Sequence, residues 1–215
     1  MKKVLLIGAG GHCKVVLDVL LQNKNYSIIG IIDLKKNIGS RIFDIGVIGD
    51  DNGLKKYFKR GIKHCFITIG STGNPEKRIK IYKFVKEIGY NLINVISSNS
   101  IISNFASIGE GCYFAPGSII NADSVLGNNC IVNTGAKIDH DCLIGDNIHI
   151  SPGVTLSAGV KIGNATHVGT GSSIIQYVTI GNNTLIGAGS VVTKDIPSNV
   201  IAYGNPCKII RKIHE

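Results

Sequence analysis

Ile138-Asp139-His140-Asp141 sets a histidine between two carboxylates, with His149 nine residues further on and His167 beyond it. A solvent-facing imidazole beside a carboxylate suits a general base, because the carboxylate raises its basicity and fixes its tautomer. The same pair taken alone also describes an ordinary surface histidine. Near the start, Gly8-Ala9-Gly10-Gly11-His12 follows the apolar run Val4–Ile7 and precedes a helical pattern from Lys14 to Leu21. A strand, a glycine turn and a helix N-terminus make an anion site, since unpaired N–H groups and the helix dipole point at one spot. Gly8 and Gly10 match the first two glycines of G-x-G-x-x-G, but Cys13 stands at the third, which weakens a dinucleotide reading. His12 is placed either to donate to a phosphate or to cap the helix. Asp33 closes the next apolar run, Ile28–Ile32, where it either reads a ribose or base or simply ends the strand in a turn.

The elements that must position these groups differ between the two halves of the chain. From Ile102 to Val192 a branched aliphatic or aromatic residue stands at every sixth position: Ile102, Ile108, Phe114, Ile120, Leu126, Val132, Ile138, Ile144, Ile150, Leu156, Ile162, Val168, Ile174, Ile180, Ile186 and Val192. Glycine follows many of them directly, and small residues such as Ala106, Ser118, Ser124, Ala136, Ser172 and Ser190 recur two places before. A period of six fits neither a helix nor a lone strand. It fits a solenoid whose coil of about eighteen residues has three short strands, each sending one large apolar side chain inward. His140, two residues past the inward Ile138, is then outward or at a corner. Ahead of the repeat, Cys65–Gly70 reads as another strand, Asp50 and Asp51 as helix-start residues, and Glu76–Ile88 as an amphipathic helix with Ile79, Tyr82 and Val85 on one face. Strands alternating with helices predict a small Rossmann-like parallel α/β sheet. About 95 residues hold only half of a dinucleotide fold, so a ligand with one nucleotide is expected there.

Charge divides the chain at the same place. Residues 1–95 carry 17 Lys/Arg against 7 Asp/Glu, and residues 96–215 carry 6 against 7. A basic first half suits a phosphorylated small molecule; the absence of a basic stripe interleaved with aromatics argues against nucleic acid. No apolar run approaches the length of a membrane span, and the start lacks the long apolar region of a signal peptide, so a cytoplasmic protein is expected. Six scattered Cys with no Cys-x-x-Cys argue against a disulfide framework. Cys112, Cys130 and Cys142 fall in the small-residue slot of the repeat and read as core. The domains expected are therefore 1–95, an α/β domain, and 96–215, the solenoid with a short C-terminal tail.

The six-residue repeat with its [Ile/Leu/Val]-Gly pairs resembles the hexapeptide left-handed parallel β-helix, a class made up mostly of acyltransferases that use acetyl-CoA and form trimers with active sites between neighbouring helices. The opening Ile7-Gly8-Ala9-Gly10-Gly11-His12, the strand end Thr68-Ile69-Gly70 and the closing Gly204-Asn205-Pro206-Cys207-Lys208 extend the likeness to nearly all 215 residues. The chain resembles the sugar O-/N-acyltransferases, among them the acetyltransferase of UDP-N-acetylbacillosamine synthesis, the perosamine N-acetyltransferases and the sialic acid O-acetyltransferases. The resemblance implies His140 as base with Asp141, Asn133 as its companion, and His149 at the thioester of acetyl-CoA. It places the pantetheine arm near Ala158 and Ala188, with Gly159 and His167 beside it, and implies a backbone N–H near Ala158 or Gly159 for the oxyanion. It gives the nucleotide-sugar to Gly10, Gly11, His12, Asp33, Ile69 and Gly70, with Lys35 and Lys36 near its phosphate or base. The expected reaction is acetyl transfer to the C4 amine of a nucleotide-linked 4-amino-4,6-dideoxy sugar, UDP-linked, by a homotrimer without a metal. The rival within the family is O-acetylation of a sialic acid. A rival from another class is a zinc carbonic anhydrase of the hexapeptide fold, which needs three converging histidines.

Overall fold

The computed structural model describes residues 1–213 and divides into two compact units at Val95/Ile96. The last two residues of the expected second domain, 214 and 215, lie outside the described residues.

The first unit runs β1 (Lys2–Ile7), α1 (Gly11–Leu21), β2 (Tyr26–Ile32), β3 (Arg41–Ile42), β4 (Ile45–Gly49), α2 (Leu54–Lys59), β5 (His64–Ile67), α3 (Glu76–Ile88) and β6 (Asn91–Leu92). Its sheet has the order β3-β4-β2-β1-β5-β6, parallel throughout except for the β3–β4 hairpin. Val4, Leu5, Leu6 and Ile7 are all buried, as expected of a central parallel strand covered on both faces. The chain leaves β1 to build β2 on one side and returns to build β5 on the other. That reversal opens a crevice beyond the carboxyl ends of β1, β2 and β5, the place where open α/β sheets take ligands. Strand β5 stops at Ile67, three residues short of the expected Gly70. Thr68 turns its hydroxyl onto the Gly8 carbonyl at 2.5 Å, and Ile69 and Gly70 become part of the crevice wall.

The second unit is the expected left-handed β-helix. Two-residue strands pair in parallel with those eighteen residues on, as Lys137–Ile138 does with Thr155–Leu156. They form three faces. The first contains Tyr113–Phe114, Ile131–Val132, His149–Ile150, His167–Val168 and Leu185–Ile186. The second contains Ile119–Ile120, Lys137–Ile138, Thr155–Leu156 and Ser173–Ile174. The third contains Val125–Leu126, Leu143–Ile144, Lys161–Ile162 and Thr179–Ile180. Every repeat position from Phe114 to Val192 is buried, while Ile102 and Ile108, near the start of the series, are partly exposed. The small-residue slot is filled by groups that also cap carbonyls. Ser124 donates to the Asp139 carbonyl at 2.6 Å, Ser172 to that of Gly187 at 3.0 Å, and the Cys130 thiol to that of Gly145 at 3.2 Å. The three core cysteines are free and buried, in agreement with their reading as small core residues.

Most corners of the coil are turned by a residue in the left-handed region. Gly117, Gly135, Gly153, Gly171 and Gly189 serve the corner between the first and second faces. Asp123, Asp141, Gly159 and Tyr177 serve the one between the second and third, and Asn129, Asn147, Ala165, Asn183 and Asn199 the one between the third and first. Gly and Asx dominate because they tolerate positive φ at least cost. Residues 200–212 close the unit as an antiparallel pair added to the first face.

Candidate functional site

The crevice of the first unit encloses about 440 Å³ and is lined by the glycine loop Gly8–Gly11, His12, Asp33, Asp51, Ile69, Gly70, Thr72 and Lys77, among others. Gly8 has φ +111°, and a Cβ there would come within 2.6 Å of the Ile69 side chain, so the loop and the β5 wall meet only because this residue is glycine. Asp33 holds the loop from the other side. One carboxylate oxygen accepts the Ala9 N–H and the other the Leu34 N–H, the latter at 2.5 Å. Asp33 thus closes the end of β2 and at the same time lines the crevice. Asp33→Ala removes both bonds. It is expected to cost roughly 1–3 kcal/mol of stability and to weaken binding of a nucleoside diphosphate about tenfold, as measured by urea unfolding and titration calorimetry.

Gly10, Gly11, His12, Asp33, Ile69 and Gly70 therefore converge as expected. Lys35 and Lys36 do not join them: they lie in an exposed 3-10 turn, Lys35–Asn37, outside the crevice lining. The cation that does line it is Lys77, in the first turn of α3, opposite Asp51, whose pKa is raised by burial and by Asp50 and lowered by Lys77. Sequence reading missed this pair because each looks like an ordinary helix-start or helix-surface residue, and only the sheet order brings them to one opening.

In the second unit His140 stands at the corner between the second and third faces, after Lys137–Ile138 and before Leu143–Ile144. Its Nδ1 lies 2.6 Å from Asp141 Oδ2, with the side chains 54% and 61% exposed. This hydrogen bond is the largest cause of its raised pKa, and the charges of Asp139, Asp141 and Asp123 add to it. The backbone beneath is fixed. Asp139 Oδ1 accepts the His140 N–H at 2.9 Å and the Asn121 amide at 2.8 Å, and the Gly159 N–H donates to the His140 carbonyl at 3.0 Å. Nε2 of a tautomer that donates from Nδ1 to Asp141 is the atom that accepts a proton. Gly159 thus has its N–H occupied, whereas the Ala158 N–H makes no hydrogen bond among the described residues. Of the two oxyanion donors expected, the free one is Ala158.

His149 stands elsewhere. Its strand belongs to the first face, and the His140 corner is the edge between the other two faces, so the prism lies between them. Asn133, expected beside His140, lies with His149 instead, its amide 3.4 Å from His149 Nε2. His167 pairs with His149 in the strand register and stacks on it, with ring centroids 4.8 Å apart and Ser151 Oγ 2.7 Å from His167 Nε2. Burial lowers the His167 pKa, which favours the neutral ring. One chain therefore carries two polar sites: His140–Asp141 with Ala158–Gly159 on a corner, and Asn133–His149–His167 on the opposite face. Ala188 is exposed at a turn between the first and second faces, apart from the His140 corner.

A Rossmann-like half-sheet with a glycine-loop crevice, followed by a hexapeptide β-helix carrying a corner His–Asp pair, defines the class of two-part hexapeptide transferases. Residues 3–85 match the family model of the PglD N-terminal domain, and residues 123–158 and 159–194 match that of the bacterial transferase hexapeptide, six repeats. The perosamine N-acetyltransferase of Caulobacter crescentus, solved with CoA and GDP-perosamine, is 36% identical, with a TM-score of 0.90 over 97% of each chain. The acetyltransferase domain of PglB from Neisseria gonorrhoeae, solved with acetyl coenzyme A, is 33% identical, with a TM-score of 0.88 over 97% of this chain and 99% of that one. WeeI from Acinetobacter baumannii is 26% identical, with a TM-score of 0.82 over 96% and 99%. A curated protein of Saccharomyces cerevisiae matches over 25 residues only, at 72% identity, which is 12% of this chain and 13% of that one. The chain belongs to the hexapeptide-repeat sugar O-/N-acyltransferase family, and it is an acyltransferase by that membership. No helix among the described residues is long and apolar enough to cross a membrane.

Proposed function

We propose that this protein transfers the acetyl group of acetyl-CoA to the C4 amine of a nucleotide-linked 4-amino-4,6-dideoxy sugar, with UDP as the carrier, in the cytoplasm. The observation that carries the reading is the exposed His140–Asp141 pair on a β-helix corner, with a free N–H at Ala158 one coil away. His140 Nε2 takes the proton from the amine as its nitrogen bonds to the thioester carbonyl carbon. Asp141 stabilises the imidazolium that forms, and the Ala158 N–H stabilises the oxyanion. The C–S bond then breaks, and the CoA thiolate leaves with the proton that His140 returns. Holding both substrates aligned supplies much of the remaining rate. The nucleotide part sits in the crevice of residues 1–95, its phosphates toward Gly10, Gly11 and Lys77. The perosamine and PglB relatives, solved with CoA or acetyl-CoA, support the donor.

The opposed positions of His140 and His149 support an assembly in which neighbouring copies complete one site: His140 from one, Asn133 and His149 from the next. Three copies about a threefold axis suit a three-faced prism, and the protein is proposed to be a homotrimer. Light scattering checks that mass.

The test is CoA-thiol release with acetyl-CoA against UDP-, dTDP- and GDP-linked 4-amino-4,6-dideoxy sugars and against free and CMP-linked sialic acid. Turnover on one 4-amino sugar establishes N-acetylation and names the carrier. Turnover confined to a GDP-linked sugar corrects UDP, and turnover confined to a sialic acid replaces the amine with a hydroxyl. Silence on every acceptor sinks the reading.

A further inference from the structure

Among the described non-glycine residues with positive φ, all are Asn or Asp apart from Phe43, Ala165 and Tyr177. Tyr177 has φ 62°, a conformation that is a genuine outlier for a bulky side chain, and the ring is 74% exposed. The chain thus accepts backbone strain here without gaining core burial. An Asn, Asp or Gly would turn this corner more easily, as Asp123, Asp141 and Gly159 do one to three coils earlier.

The corner ladder shows what the ring stands beside. The Tyr177 N–H donates to the Ala158 carbonyl at 2.9 Å, the Gly159 N–H to His140, and the Asp141 N–H to Ala122 at 3.1 Å. Tyr177 is therefore two coils above the His140–Asp141 turn, roughly 10 Å at the usual strand spacing. Its ring leans back toward that turn: a Cβ placed on Gly159 would fall 2.5 Å from Tyr177 Cδ1. Glycine at 159 is what lets the ring lie over the coil between.

The column changes chemistry from coil to coil. At and below His140 stand Asp123, Asp139 and Asp141 with Asn121, which suit an amine and the hydroxyls of a sugar. In the two coils above it stand Ala158, Gly159, Gln176, Tyr177 and the exposed Ile175, none of them charged, before Lys194 and Asp195 turn the same corner in the last coil. We infer that Tyr177 is a binding residue for the acyl donor, its ring forming the wall against which the neutral arm of the acyl thioester lies as the carbonyl reaches His140 and Ala158. A thioester arm of this kind is uncharged, extended and partly apolar, which matches a bare small-residue floor with one aromatic side. The inference rests on the acetyl-transfer reading above and adds a donor contact to it.

The opposed signs of strain and binding give the test. Tyr177→Gly and Tyr177→Asn both relieve the left-handed backbone, so both are expected to melt at a higher temperature than the wild type. Both are also expected to raise KM for acetyl-CoA about tenfold, with kcat and the KM of the sugar within about twofold, while Tyr177→Phe keeps the wild-type KM. A purely structural tyrosine gives the higher melting temperature with an unchanged acetyl-CoA KM, which overturns the inference. A change confined to the sugar KM overturns it as well, in favour of a sugar contact. Calorimetric titration of CoA into the full-length wild type and Tyr177→Gly separates this from failure of the functional reading. If no acceptor turns over but CoA binds and the variant weakens it, the wall stands and the acceptor assignment falls; if CoA binds equally to both, or to neither, the inference is wrong.

Discussion

His140→Ala is expected to lower kcat for acetyl transfer by two to four orders of magnitude, the usual range for losing a general base, with KM for acetyl-CoA within about twofold. The side chain is more than half exposed and packs into no core, so the melting temperature is expected to stay where it is. In the proposed reaction the base is the neutral imidazole. Because the hydrogen bond to Asp141 raises the His140 pKa, kcat/KM should climb with pH through a limb above the ordinary imidazole value near 6.5. Asp141→Asn tests that cause directly. Asn tolerates the φ of 60° at this corner, so the backbone stays, but the neutral amide no longer holds a proton on the ring. The acid limb is expected to move to lower pH and the plateau rate to fall, since the imidazolium formed in the reaction has lost its counter-charge. A limb that stays put in Asp141→Asn would show that another group sets it, and a His140→Ala enzyme with undiminished turnover would remove His140 from the chemistry.

The solenoid was legible because its cause is periodic. Every coil buries one side chain per face, and sixteen consecutive repeat positions from Ile102 to Val192 record that demand in one dimension. The corner place of His140 followed from the same count, since it lies two residues past the inward Ile138. The glycine loop was legible for a local reason, since its glycines stand directly between an apolar strand and a helical pattern; that Gly8 is also where Ile69 crosses it is visible only in the fold. What the count could not supply was which face opposes which corner. Asn133 is seven residues from His140 along the chain, yet its amide meets His149 sixteen residues away, because contacts between coils recur near the eighteen-residue period. Lys35 and Lys36 followed Asp33 closely enough to be assigned to its ligand, but the 3-10 turn carries them out of the crevice. Lys77 and Asp51 enter it from elements distant in sequence, so no local pattern marks them.

Arg78 is the residue whose loss is expected to damage the first unit most, and its charge hid it in the sequence. The sequence of α3 shows an apolar face of Ile79, Tyr82 and Val85, and nothing in it marks Arg78 as a core residue. In the structure Val85 is buried, and so is Arg78, at 1% exposure. Its Nη1 donates to the Ile67 carbonyl at 2.6 Å and to the Ile69 carbonyl at 2.8 Å. Those carbonyls belong to the segment that leaves β5 and forms the crevice wall against Gly8. The guanidinium therefore pins the wall to α3, the helix whose first turn brings Lys77 to the same opening. Arg78→Met keeps much of the volume and removes both bonds, leaving two carbonyls without this donor, each costing about 1–3 kcal/mol when buried unsatisfied. Urea unfolding is expected to show a loss of roughly 3–5 kcal/mol for this unit. Where the variant remains folded, the KM for the nucleotide-sugar should rise tenfold or more while that for acetyl-CoA holds, because the donor is proposed to bind the other unit. Arg78→Lys retains one charged donor on a shorter stem, so its losses should fall between those of the wild type and Arg78→Met. If Arg78→Met matches the wild type in both stability and sugar KM, the bonds at 2.6 and 2.8 Å do not hold the wall in place.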